Sequence, residues 1–263
     1  MKKFGAIISL FIFVHFSTAQ ADEIRRIGLN GAAGVAAPVA EKGKDGIDRI
    51  HKVPTPALEL FPTVQKPARG TIMVCPGGGY KILAINHEGY YVAKKLNEFG
   101  FDVAILLYRV NAGEETRELA IADAQAALAL LQKRGAEFGL STKKIGVMGF
   151  SAGGHLAARV THATAASTPP DFAVLMYPAY LEKGGTVLDD VAPVKTPVFI
   201  YVAGDDKLST NSVVYAAACK AKNIPCDFHK PEHGGHGFGL KPNLPPDVKD
   251  WPDKLHVFLD GLK

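Results

Sequence analysis

The residues best able to do chemistry are a serine, two aspartates and a histidine, each in a glycine-rich setting. Gly149-Phe150-Ser151-Ala152-Gly153 matches G-x-S-x-G, with Gly154 following. The run 144–149 ahead of it reads as a strand, and 151–162 reads as a helix packed through small residues. A serine on such a strand-to-helix turn projects its hydroxyl out of the sheet, and the glycines relieve crowding where the chain doubles back. The helix start aims N–H groups and a positive dipole end at charge developing on a substrate oxygen. Ser151 is therefore the expected nucleophile. It needs a base, and the base needs an orienting carboxylate, in the chain order Ser, Asp, His. His236 lies in Gly234-Gly235-His236-Gly237-Phe238, after the last predicted strand, where the glycines free the loop to bring the ring to Ser151. Asp205 and Asp206 stand at the end of the apolar strand 198–203, where an orienting carboxylate belongs. Asp206 also suits a turn or helix-capping role ahead of Thr210.

Pro76-Gly77-Gly78-Gly79-Tyr80 follows the apolar run 71–75. Such a loop lets backbone approach a substrate closely. The N–H of Gly78 or Gly79, with that of Ala152, is the expected oxyanion hole. A phosphate loop would need Lys and Ser or Thr at a fixed spacing, and none follows. His229, His233 and His236 could be read as a three-histidine metal site, but the serine and aspartate would then lack a base. No metal or organic cofactor is expected. Gly28-Leu29-Asn30-Gly31 has only a superficial likeness to a dinucleotide loop, without the strand and ribose-binding acid that reading demands.

The elements that must position these groups alternate between strand and helix. Strands are predicted at 57–61, 71–75, 101–108, 144–149, 171–177, 198–203 and 226–229. Helices are predicted at 86–99, 114–133, 151–162, 210–222 and 250–262. Alternation of this kind implies crossover units and a mostly parallel sheet with helices on both faces. Strands that are apolar throughout fit burial on both sides. The segment 178–197 is too short for more than a minimal lid, so an open site for a small acyl part on a bulky alcohol is expected. Residues 28–48 are rich in Gly and Ala with little period, so 22–56 read as an N-terminal arm lying over the domain, and 57–263 as one catalytic domain.

Of 263 residues, 47% are hydrophobic and 21% charged, the balance of an ordinary globular chain. The net charge of +4 comes without a basic stripe, which argues against nucleic acid as a partner. Lys2 and Lys3, the apolar stretch 4–16 and Ala19-Gln20-Ala21 form a secretory signal over 1–21. The mature chain is expected in the periplasm or medium, with no membrane attachment after cleavage. Of the three cysteines, Cys219 and Cys226 are close enough in sequence to pair in an oxidising compartment, and Cys75 reads as a buried small hydrophobe.

With these residues placed, the chain resembles secreted α/β-hydrolases of the acetyl xylan esterase or acylated-carbohydrate esterase kind. The resemblance rests on 75–80, His87-Glu88-Gly89, Tyr108-Arg109-Val110, 149–155, Gly235-His236-Gly237-Phe238-Gly239-Leu240 and Trp251. It implies the α/β-hydrolase fold and removal of acetyl or similar short acyl groups from sugars, with an acylated small molecule or polysaccharide as partner. By analogy with related hydrolases, the first aspartate of the pair is the orienting one, which favours Asp205. Tyr80, His87, Glu88 and Arg109 are candidates for lining the substrate mouth, and Glu88 and Arg109 could equally form a structural ion pair. His155, one turn into the nucleophile helix, reads as a packing or supporting residue. Two other readings remain open at this point: a peptidase of the prolyl-peptidase kind, and a non-catalytic carbohydrate-binding protein.

Overall fold

The computed structural model describes residues 24–162 and 167–262. The leader expected over 1–21 lies outside them. The chain runs β1 (Arg25–Gly28), β2 (Ala40–Lys42), β3 (Asp48–Ile50), β4 (Ala57–Phe61), β5 (Thr71–Cys75), β6 (Leu83–Ala84), α1 (Tyr91–Glu98), β7 (Asp102–Leu107) and α2 (Thr116–Arg134). It continues with β8 (Ile145–Phe150), α3 (Ala152–Arg159), β9 (Phe172–Met176), β10 (Glu182–Lys183), β11 (Thr186–Val187), β12 (Val198–Tyr201), α4 (Ser209–Ala221), β13 (Cys226–His229) and α5 (Trp251–Gly261).

Eight strands form one sheet in the order β1-β4-β7-β5-β8-β9-β12-β13. The β1–β4 and β4–β7 pairs are antiparallel and the remaining pairs are parallel. Every residue of β5, β7, β8, β9 and β12 is buried. A strand without an exposed side needs cover on both faces, and the helices supply it. On one side α2 packs on α3. On the other, α1 meets α5 where the Phe99 and His256 rings stack at 4.2 Å.

Parallel connection puts the ends of β5, β8, β12 and β13 along one edge. Their following loops carry the oxyanion loop, Ser151, the aspartate pair and His236. Ligand sites in open parallel sheets form at this carboxyl edge.

The stretch read as an N-terminal arm is partly strand. β1 extends the sheet beside β4, and β3 pairs with β6, just beyond the oxyanion loop. Asn86 reinforces that join, accepting from Asp48 N–H at 3.1 Å and donating to the Gly46 carbonyl at 2.8 Å. These strands are too short for a period to register. The segment 178–197 holds only the β10–β11 hairpin and one 3₁₀ turn, Asp189–Val191. Asn211 of α4 pins it by accepting from Leu181 N–H at 2.8 Å. Cys219 and Cys226 are not joined: all three thiols are free, with Cys75 and Cys219 buried.

Candidate active site

Ser151 occupies the turn between β8 and α3 at φ 51°, ψ −114°, a conformation L-residues rarely adopt. Two glycines permit it. A Cβ on Gly149 would run into the backbone of Gly153, and a Cβ on Gly153 into the Cys75 carbonyl. The helix start can therefore lie directly against the ends of β8 and β5. Ser151 N–H is fixed to the Met176 carbonyl at 3.0 Å. Ala152 N–H, at the first turn of α3, has no acceptor within its own helix.

His236 Nε2 lies 2.8 Å from Ser151 Oγ. His236 Nδ1 lies 2.7 Å from Asp206 Oδ2. The proton of the neutral ring thus belongs on Nδ1, which leaves Nε2 to accept from the serine hydroxyl. The expectation that Asp205 faces the histidine is corrected. Asp205 Oδ1 accepts instead from Gly235 N–H at 2.8 Å, in the loop that carries His236. That bond, not a histidine ring, is the main cause of its lowered carboxyl pKa.

The two neighbours point opposite ways along the strand end. The Asp205 side chain is 46% exposed, whereas that of Asp206 is fully buried. Asp206 also fills the turn role expected of it, since Oδ1 accepts from Leu208 N–H at 2.8 Å. One carboxylate therefore serves turn and histidine at once.

The oxyanion loop is held at several points. The Tyr108 hydroxyl donates to the Pro76 carbonyl at 2.6 Å. Gly77 N–H is committed to Glu88 Oε2 at 2.8 Å, so it is not free to bind substrate. Gly78 (φ 135°) and Gly79 (φ 62°) continue in conformations that favour glycine. Tyr80 follows at φ 63°, its phenol bonded to His155 Nδ1. Burial holds His155 down at about 4, so it meets the phenol as a neutral acceptor. This is the supporting role read for His155.

Of the residues expected at the substrate mouth, Tyr80 alone borders a cavity beside the loop, with a volume of about 430 Å³. Tyr180 and Arg117 share its wall, the guanidinium 4.6 Å from the Tyr180 ring centre. His87, Glu88 and Arg109 are not at the mouth. His87 is buried, bonded to Asn86, and pushed down to about 4 by desolvation. Glu88 is buried beneath the loop, and burial raises its carboxyl pKa. Arg109 pairs with Asp123, not Glu88, through Nε at 2.9 Å and through Nη2. A Glu and an Arg in short motifs looked like ligand groups, but each has a fixed internal partner.

Sequence reasoning missed Tyr177. It follows β9 at φ 36°, its ring 5.1 Å from that of His236. Its hydroxyl donates to Glu88 Oε1 at 2.8 Å and accepts from Gly239 N–H at 2.9 Å. A tyrosine closing an apolar strand ahead of Pro178 was its only signal. Among the described residues, no group of three His, Cys, Asp or Glu side chains is placed to hold a metal ion.

Comparisons with known proteins bear on the fold and on what the chain is similar to. The BD-FAE family profile matches residues 60–173, which include Ser151 but neither aspartate nor His236. An acetylxylan esterase of Xylanibacter ruminicola is 27% identical over 208 residues, covering 67% of this chain. The match spans only 42% of that relative's length. The solved acetyl ester-xyloside bifunctional hydrolase of Caldicellulosiruptor lactoaceticus superposes with a TM-score of 0.67 at 24% identity, over 89% of this chain and 95% of that one. The α/β hydrolase MGS-M1, from a Medee basin deep-sea metagenome library, gives 0.70 at 24% identity, over 91% and 97%. The chain has the α/β-hydrolase fold and resembles acetyl xylan esterases.

Proposed function

We propose that the chain is a serine carboxylic ester hydrolase that removes acetyl or other short acyl groups from carbohydrate esters through an acyl-enzyme. The observation that carries this reading is the unbroken relay from Asp206 Oδ2 to His236 Nδ1, 2.7 Å, and from His236 Nε2 to Ser151 Oγ, 2.8 Å. In this reading Ser151 Oγ attacks the ester carbonyl while His236 Nε2 takes its proton. Asp206 holds the ring and stabilises the imidazolium. The N–H groups of Ala152 and of Gly78 or Gly79 receive the oxyanion. His236 then hands the proton to the departing alcohol, and water enters by the same route to release the acid.

The carbohydrate part of the proposal rests on likeness to the Xylanibacter ruminicola acetylxylan esterase. The short segment 178–197 and the cavity flanked by Tyr180, Arg117 and Asn111 suit a hydroxyl-rich alcohol and a small acyl group. The test is acetate release from p-nitrophenyl acetate and from acetylated xylan by the wild type and by Ser151→Ala. Removing the nucleophile is expected to lower turnover by about a million-fold. A variant as active as the wild type would overturn the serine mechanism. Faster cleavage of long-chain than of acetyl esters would overturn the short-acyl reading. Turnover of amides in preference to esters would favour a peptidase.

A further inference from the structure

We propose that Glu88 is a positioning residue for the reaction, its buried carboxylate fixing the oxyanion loop and the His236 loop to a common anchor beneath Ser151. The inference rests on the serine hydrolase reading above and adds to it a group that lies outside the relay.

Glu88 sits in the π-helical turn Asn86–Tyr90, between β6 and α1, and is 3% exposed. Such wide turns push a side chain out of ordinary helical register. One carboxylate oxygen, Oε2, accepts from Gly77 N–H at 2.8 Å. The other, Oε1, accepts from the Tyr177 hydroxyl at 2.8 Å. Tyr177 passes the connection on by accepting from Gly239 N–H at 2.9 Å, and the Gly239 carbonyl accepts from Trp251 Nε1 at 2.9 Å. Three connections that meet nowhere in sequence are joined this way: those following β5, β9 and β13. Gly77 immediately precedes the expected oxyanion donors, and Gly239 lies three residues beyond His236.

Leu240 N–H adds a further tie from the same loop to the His87 carbonyl, at 2.8 Å. Space around the anchor is full. A Cβ on Gly77 would come within 2.8 Å of Glu88 Oε2, and one on Gly239 within 3.1 Å of Glu88 Cγ.

A carboxylate is a costly way to fill a buried site, because desolvation penalises the charged form unless it gains partners. Here both oxygens receive a donor, the pattern that suits the anion. Burial pushes the carboxyl pKa up, and the hydrogen bonds from Tyr177 and Gly77 pull it back down. Glu88 is not part of the Asp206–His236–Ser151 relay, so it acts through the loops that its hydrogen bonds hold.

The experiment uses the full mature chain and three variants, Glu88→Gln, Tyr177→Phe and the double variant, with folding checked by circular dichroism and thermal unfolding. Kinetics are measured with p-nitrophenyl acetate. Glu88→Gln is expected to lower kcat by about 10- to 100-fold with KM changed by less than about 3-fold, since the loss falls on transition-state stabilisation. Tyr177→Phe keeps the ring and cuts only the link from Glu88 to Gly239, and is expected to lose about 5- to 30-fold in kcat. The double variant should lose much less than the product of the two, because both changes break one bridge. A folded Glu88→Gln with wild-type kcat overturns the proposal and leaves the hydrolase reading standing. If Glu88→Gln fails to fold, Tyr177→Phe decides: unchanged kcat overturns the proposal. A wild type inert towards every ester overturns both.

Discussion

Exchanging the roles of two adjacent aspartates is the sharpest test of the site, because Asp205 and Asp206 differ in surroundings and not in chemistry. Asp206→Asn is nearly isosteric, and the structure determines which way its amide will point. If the amide oxygen keeps the Leu208 N–H bond that Oδ1 makes at 2.8 Å, the –NH2 group takes the place of Oδ2, 2.7 Å from His236 Nδ1. A donor there forces the ring proton onto Nε2, the atom that must accept from Ser151 Oγ. The relay then has its proton on the wrong nitrogen before any substrate arrives. A wrong tautomer of this kind costs on the order of ten-thousand-fold in kcat, about 5 kcal/mol of transition-state stabilisation. Asp205→Asn loses no comparable bond, since its amide oxygen still accepts from Gly235 N–H as Oδ1 does at 2.8 Å. The change expected there is less than about threefold, in keeping with an exposed group whose bond survives. Steady-state kinetics on p-nitrophenyl acetate over both variants decides. A collapse of kcat in Asp205→Asn with near-wild-type turnover in Asp206→Asn would refute the assignment and return the role to the first aspartate.

Two further outcomes follow from buried groups near the site. His155 is held neutral, down at about 4 against an ordinary 6.5, so the unfolded chain takes up a proton in that window and the folded chain does not. Stability from this residue is complete above pH 6.5 and is lost as pH falls towards 4, by about 3 kcal/mol at 1.4 kcal/mol per unit. The wild-type Tm is expected to fall by roughly 5–10 °C more than that of His155→Gln across this range, and parallel curves would remove the argument. Arg109→Ala strands the Asp123 carboxylate, 3% exposed in its side chain, and should cost about 2 kcal/mol in denaturant unfolding. KM for acetyl esters should not change in that variant, and a large rise would place Arg109 at the substrate after all.

Much of this was legible in the sequence, for identifiable reasons. The strand at 71–75 read correctly because a buried apolar run ended by Pro76 leaves little choice of boundary, and the half-buried strand at 226–229 was also read with its observed bounds. Ser151 and His236 were legible because glycines mark where backbone must crowd or reverse. The aspartate pair was not, because both residues lie in the turn beyond β12, where strand alternation no longer dictates which side chain faces the histidine. Glu88 and Arg109 were misplaced for a related reason. A charged residue in a short motif looks like a ligand group until its partner is known, and the partners Tyr177 and Asp123 come from other segments. The strands of the N-terminal stretch could not be read because they exist through pairing with β4 and β6, not through local pattern.

The distribution of backbone strain explains why so many buried hydrogen bonds gather around one serine. Among the described residues, the non-glycine positions with positive φ are Tyr80, Asn111, Ser151, Tyr177, Tyr180 and Asn223. Tyr80, Ser151, Tyr177 and Tyr180 all lie in the connections after β5, β8 and β9, at the carboxyl edge of the sheet. Each such conformation costs on the order of 1–3 kcal/mol and persists only where its surroundings over-determine it. Those surroundings can be named. The Tyr80 phenol is tied to His155 and to the Ala152 carbonyl, the Tyr177 phenol to Glu88 and Gly239, and Ser151 N–H to Met176. Tyr80 and Tyr177 thus have a double role. Their backbones take up turns beside Ser151 and the oxyanion loop, and their hydroxyls offset the strain by bonding across to neighbouring segments. A relay of three side chains with contacts near 2.8 Å needs its loops held to a fraction of an ångström. Here that precision comes from polar ties among the loops themselves, and it should fail in kcat before it fails in fold when one tie is cut.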